Sequence, residues 1–134
     1  MTITGVADIH TALWHLFDDP RLSAIARAFI DAAAAARQKI AISSISLAEV
    51  VYPIEKNRLP PSACDELILA LEDPEHVFTE AVITAAVVHA MRRVPRAEVS
   101  DLPDRIVAAT AVYFDVPVIS RDRRIRAASL KTVW

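Results

Sequence analysis

Along the 134-residue chain, short apolar runs alternate with longer stretches whose apolar positions recur every three or four residues. That alternation is the pattern of strands joined by crossover helices around a mainly parallel sheet. The first run, Ile3 to Ala7, ends at Asp8. It passes into a helical stretch in which Leu13, Leu16 and Phe17 recur at helical spacing, closed by Asp18, Asp19 and Pro20. From Leu22 to Arg37 the alanines favour helix, with Leu22, Ile25, Ala26, Phe29 and Ala33 on its apolar face. Lys39 to Ser43 reads as the second strand. Ser46 and Glu49 have capping-box spacing, so a helix is expected to begin near Ser46 and run toward Lys56 despite Pro53, before Pro60 and Pro61 stop the chain.

The second half continues the pattern. A helix is expected from Ser62 to Leu71, a short strand from His76 to Thr79, and a helix from Ala81 to Arg92. Ser100 or Asp101 can cap a helix from about Leu102 to Phe114. Val116 to Ser120 is the clearest buried strand, followed directly by Asp122, a basic turn from Arg123 to Ala127, and a last strand from Lys131 to Trp134. No repeat or linker divides the sequence, and its length is that of one domain, taken as residues 1–134.

Composition narrows the chemistry. With 54% hydrophobic and 24% charged residues the chain can bury a sizeable core, which excludes intrinsic disorder. One glycine, Gly5, excludes glycine-rich phosphate loops and the dinucleotide fingerprint. One cysteine, Cys64, excludes an internal disulfide and a thiolate zinc cluster and fits a reducing compartment, so a cytoplasmic location is expected. No uncharged apolar run reaches the roughly 18 residues of a membrane span. A net charge of -2 gives no global attraction to nucleic acid, so a polyanionic substrate would need a local basic patch or bound metal.

In open parallel sheets, ligands bind where the strands end. Asp8 closes the first strand, Glu49 lies in the first turns after the second, Asp104 opens the helix before the late strand, and Asp122 follows that strand. Four carboxylates from four segments thus point to one edge, where like charges are tolerated only with protons shared or cations bound. All-oxygen ligation favours Mg²⁺ or Mn²⁺, which suits phosphodiester hydrolysis. Each acid alone also has a purely structural reading. Asp8 can be an N-cap, Glu49 the capping-box partner of Ser46, Asp104 the acid answering Asp101, and Asp122 an ion-pair partner of Arg121 or Arg123. Only the joint placement favours a site.

The segment Val6-Ala7-Asp8-Ile9-His10-Thr11-Ala12-Leu13-Trp14 resembles the opening strand and first aspartate of PIN domains, small nucleases that include the VapC toxins of bacterial toxin–antitoxin pairs. Ser43-Ser44-Ile45-Ser46-Leu47-Ala48-Glu49, Asp104-Arg105-Ile106-Val107-Ala108-Ala109-Thr110-Ala111 and Val116-Pro117-Val118-Ile119-Ser120-Arg121-Asp122 resemble the family's next three motifs, in order, across essentially the whole chain. The resemblance implies a three-layer α/β domain, a mainly parallel sheet of about five strands flanked by helices. It implies a Mg²⁺-dependent (or Mn²⁺-dependent) endoribonuclease, with Asp8 and Asp104 as principal metal ligands and Glu49 and Asp122 completing the pocket. It also implies an RNA substrate, an antitoxin partner and a homodimer. Two departures bear on the site. Ile9 stands where the family usually has a threonine or serine, with Thr11 nearby, and Asp101 is a further candidate ligand.

The remaining features point less sharply. Arg121, Arg123, Arg124 and Arg126 form a basic cluster suited to an RNA backbone or, equally, to a solvated turn, with Arg121 and Arg123 the substrate-binding candidates. His10 and His15 are expected to be ordinary partly exposed histidines, and Trp14 core or interface. Two other readings stand beside the nuclease. One is a non-catalytic PIN-like binding module. The other is a receiver-type domain, which would need adjacent acids after the first strand and a lysine after the last, and Asp8-Ile9 and Asp122-Arg123 supply neither.

Overall fold

Side chains alternate across a pleated strand, and here the alternation divides the core in two. In the computed structural model, which describes residues 2–134, Val6, Ala41 and Val118 are buried in one cluster, while Ala7, Ile40, Ile42 and Ile119 are buried in another. Both faces of the sheet are therefore covered, as a parallel sheet requires. The five strands are β1 (Ile3–Ala7), β2 (Lys39–Ser43), β3 (Phe78–Ala81), β4 (Val118–Ile119) and β5 (Thr132–Val133). All neighbours pair in parallel, in the order β3-β2-β1-β4-β5.

Helices α1 (Ile9–Leu16), α2 (Ala24–Ala35), α3 (Ser44–Glu55) and α4 (Ser62–Glu72) supply Leu13, Ile30, Val50 and Leu67 to the first face. Helices α6 (Leu102–Phe114) and α7 (Arg123–Ala127) cover the second with Val107, Ala111 and Ile125. Helix α5 (Ala85–Ala90) and the 3-10 turn Met91–Arg93 pack on α6 through Val87, Ala90, Ala108 and Ala109. The result is the expected three-layer α/β fold. Chain order reverses on the two sides of β1, so the crevice at its C-terminal end, between β1 and β4, is the topological switch point where ligands bind. Among the described residues no helix is long and apolar enough to cross a membrane.

β1, β2 and α6 match the sequence expectation residue for residue. The differences are set by side chains that cap or turn the chain. Ser43 caps α3, its hydroxyl accepting from the Ile45 amide at 3.3 Å, which leaves Ser46 wholly buried inside the helix. The expected Ser46–Glu49 capping box is therefore absent, and Glu49 is free of that role. Ser23 starts α2 at Ala24 by accepting from the Ala26 amide. The His76 ring accepts the Phe78 amide at 3.0 Å, so the turn continues to residue 77 and β3 occupies Phe78–Ala81 instead of His76–Thr79. Ala81 is thereby used in a strand, and the next helix waits for the Thr84 cap before starting at Ala85. β4 is narrowed to Val118–Ile119 and β5 to Thr132–Val133, while the basic turn at Arg123–Ala127 is a short helix.

Gly5 sits buried in central β1, where a Cβ would lie 3.0 Å from the Phe29 ring and 3.4 Å from the δ-methyls of Ile40 and Ile119. Overpacking at such a point costs about 1–3 kcal/mol. Gly5→Val is expected to lose that much stability in urea denaturation, with the loss relieved when Phe29→Leu is combined with it.

Candidate active site

The candidate site lies at the C-terminal ends of β1 and β4. Asp8 follows β1 directly and N-caps α1, accepting from the Thr11 amide through Oδ1 at 3.0 Å. Its other oxygen accepts a short hydrogen bond from the hydroxyl of Ser120, the residue after β4. Ser120 is fully buried, and its hydroxyl also accepts the Asp122 amide at 3.0 Å. One serine therefore ties the first acid to the backbone of the last. Thr11, the candidate stand-in for the hydroxyl missing at Ile9, does not take that role. Its hydroxyl donates to the Ile119 carbonyl at 2.8 Å, locking α1 to β4, and Ile9 belongs to the core.

Asp122 caps α7, accepting from the amides of Arg124 and Ile125. Asp101 caps α6, accepting the Asp104 amide at 3.1 Å, which sets Asp104 in the first turn. Glu49 projects from α3. These five carboxylates, with Ile9, His10, Trp14 and Arg121, line one open cavity of about 410 Å³. The four sequence-predicted acids thus come together, joined by Asp101. Among the described residues none of the five forms an ion pair. Arg121 reaches this wall, whereas Arg123 is not part of the lining, and Arg124 is close enough for its charge to act on Asp104.

The crowding shows in the acidity of the two carboxylates without a direct helix-capping duty. Partial burial pushes Glu49 up to about 7, helped by the charges of Asp104, Asp101 and Asp8. Asp104 is pushed up to about 6 by burial and by Asp101, Asp122 and Asp8, against the pull of Arg124. Such a donor set is all oxygen, anionic and short of counter-charge, which fits a hard divalent cation. Among the described residues, no three ligating side chains stand at chelating distance. The fit to a cation therefore rests on the chemistry of the donors and on no ready-made cage.

Ser120 is the residue that the structure adds to the predicted set, through its hydroxyl contact with Asp8. Its signal was its place, a hydroxyl closing a strand two residues before an acid. The histidines are less involved: His15 pairs with Asp31 at 3.1 Å, and His10 is exposed at the cavity rim with its ring 5.6 Å from Trp14.

A PIN domain family model matches residues 6–130. Ribonuclease VapC22 of Mycobacterium tuberculosis is 30% identical over 124 residues, which are 92% of this chain and 91% of that protein. Among solved structures, VapBC2 from Rickettsia felis bound to a DNA fragment from its promoter matches with a TM-score of 0.70 at 16% identity, over 97% of each chain. At that identity the likeness is one of fold.

The raised pKa values of Glu49 and Asp104 fix a sign for pH. Unfolded, Glu49 and Asp104 ionise near 4.5 and 3.8; folded and metal-free, near 7 and 6. The fold therefore holds more protons between these values, and the stability they contribute is complete below about 4 and lost as pH rises to about 7. In EDTA, the melting temperature is expected to fall over this window. Glu49→Gln is expected to flatten the fall and to raise the melting temperature at pH 8 by a few degrees.

Proposed function

The chain belongs to the PIN domain family, in its VapC-type branch, and from that premise we propose that it is a metal-dependent endoribonuclease acting as the toxin of a toxin–antitoxin pair. The observation that carries this reading is the cavity itself: five carboxylates with no ion-pair partner among the described residues, gathered where the strand order of a parallel sheet reverses. Mg²⁺ is the proposed cofactor, with Mn²⁺ as its substitute; Asp8 and Asp104 are its principal ligands, and Glu49 and Asp122 complete the pocket directly or through water. Bound there, the ion supplies neutralisation of the phosphate and acidification of a water molecule.

The chain's own residues do the positioning. Ser120 and the Thr11 amide fix both oxygens of Asp8, so its carboxylate has one orientation toward the cavity. Asp101 and Asp122 each keep one oxygen on a helix N-terminus, where backbone N–H groups favour negative charge. Glu49 and Asp104, half-buried and proton-hungry, exchange their protons for the cation, so metal affinity falls with pH below about 7. Ile9 does not weaken the arrangement in this reading, because Ser120 supplies a hydroxyl to Asp8. Arg121 and Arg123, at and beside the cavity, are the proposed contacts to the RNA backbone.

A cognate antitoxin, a homodimeric state and a cytoplasmic location complete the proposal. The likeness in fold to VapBC2 and the kinship with ribonuclease VapC22 support the toxin reading.

The test is cleavage of total RNA by the partner-free chain with Mg²⁺, Mn²⁺ or EDTA. Discrete metal-dependent products are expected, and Asp8→Asn and Asp104→Asn are expected to lose about two orders of magnitude or more in rate, the scale of removing one charge-stabilising group. Equal behaviour of wild type and both folded variants would replace the enzyme by a binding module. Ser120→Ala, which removes support and not a ligand, is expected to weaken Mg²⁺ binding about 10- to 100-fold in calorimetry.

A further inference from the structure

Two arginines lie against one indole, and they differ in what else they touch. The Arg21 guanidinium sits 5.1 Å from the centre of the Trp14 ring and is also held in a two-point pair by Asp19, at 3.0 and 2.7 Å. The Arg121 guanidinium sits closer, at 4.6 Å, and among the described residues it makes no ion pair and no side-chain hydrogen bond. Yet Arg121 shares a cavity with five carboxylates and is the only arginine or lysine in its lining. A free arginine beside that much negative charge would ordinarily fold onto one of the acids. The flat face of Trp14, itself only 7% exposed and anchored in the core, offers the guanidinium a competing seat.

Resting on the ribonuclease reading, we propose that Trp14 is a positioning residue that keeps Arg121 off the acidic cluster, so that its donors stay free for the phosphate of an RNA strand entering the cavity. Seated on the indole, the guanidinium keeps its edge donors free, and its charge is not cancelled before substrate arrives. It also offsets part of the repulsion between the carboxylates and the RNA backbone. Arg123 and Arg124 are exposed like Arg121 but have no such seat and no place in the lining.

The experiment measures binding of a fluorescent single-stranded RNA oligonucleotide, with Mg²⁺, to the Asp104→Asn chain across a salt series, beside KM and kcat in the otherwise wild-type chain. Arg121→Gln is expected to weaken binding several-fold, to raise KM more than it lowers kcat, and to reduce the salt slope by about 0.7, one phosphate contact on a single strand. Trp14→Leu, checked for folding by its melting curve, is expected to reproduce all three effects, and the double variant to be no weaker than Arg121→Gln alone. Trp14→Phe, which keeps an aromatic face, is expected to fall between Trp14→Leu and wild type, and it carries the comparison if the leucine variant does not fold. A folded Trp14 variant with the wild-type salt slope, or losses that multiply in the double variant, would overturn the inference while leaving the nuclease intact. A wild-type chain that neither binds nor cuts RNA would overturn the ribonuclease reading and this inference together.

Discussion

Everything at the C-terminal edge of the sheet is arranged against one force, the mutual repulsion of Asp8, Glu49, Asp101, Asp104 and Asp122 around a single cavity. Among the described residues no basic side chain neutralises them through an ion pair. The fold tolerates the cluster by dividing the labour. Asp8, Asp101 and Asp122 each spend an oxygen on a helix N-terminus, where backbone N–H groups reward negative charge, while Glu49 and Asp104 yield by holding their protons to higher pH. The repulsion that remains is the free energy a bound cation would recover.

Of the structural readings set out from the sequence, the structure keeps the N-cap for Asp8 and replaces the ion pair of Asp122 with a cap on α7. An aspartate placed after a strand starts the next helix and at the same time holds its carboxylate at the edge of the cavity. Capping is how the fold affords an unpaired carboxylate at a fixed position. Asp104 follows the Asp101 cap in the first turn of α6 and caps nothing itself, and Glu49 stands apart altogether. Its capping role fails because Ser43, not Ser46, ends the preceding strand with a hydroxyl aimed at the helix, so Glu49 has no backbone duty.

How much could be read from the chain followed the range of the forces involved. β1, β2 and α6 were legible because apolar runs and a nearby cap fix them locally. The start of α5 and the register of β3 were not, since Thr84 and the His76 ring redirect the backbone in ways that periodicity does not register. The four acids were legible as a set from their places at strand ends. The role of Ser120 was hidden because its partner Asp8 is 112 residues away, and only the β1–β4 pairing brings the two together. The seat of Arg121 on Trp14 was hidden for the same reason.

The two walls of the cavity are unequal. The wall carrying Asp8 rests on β1 and its long pairing with β2 and, beyond it, β3. The wall carrying Ser120 and Asp122 rests on β4 and β5, each of two residues, with the Ser120 amide held only by the Val133 carbonyl at 3.2 Å. Local opening follows the weakest pairing, so amide exchange near Ser120 and Val133 should outrun exchange in β1 and β2. The Trp134 ring, 6.0 Å from that of Trp14, ties the end of this thinner wall back to the helix that Asp8 begins.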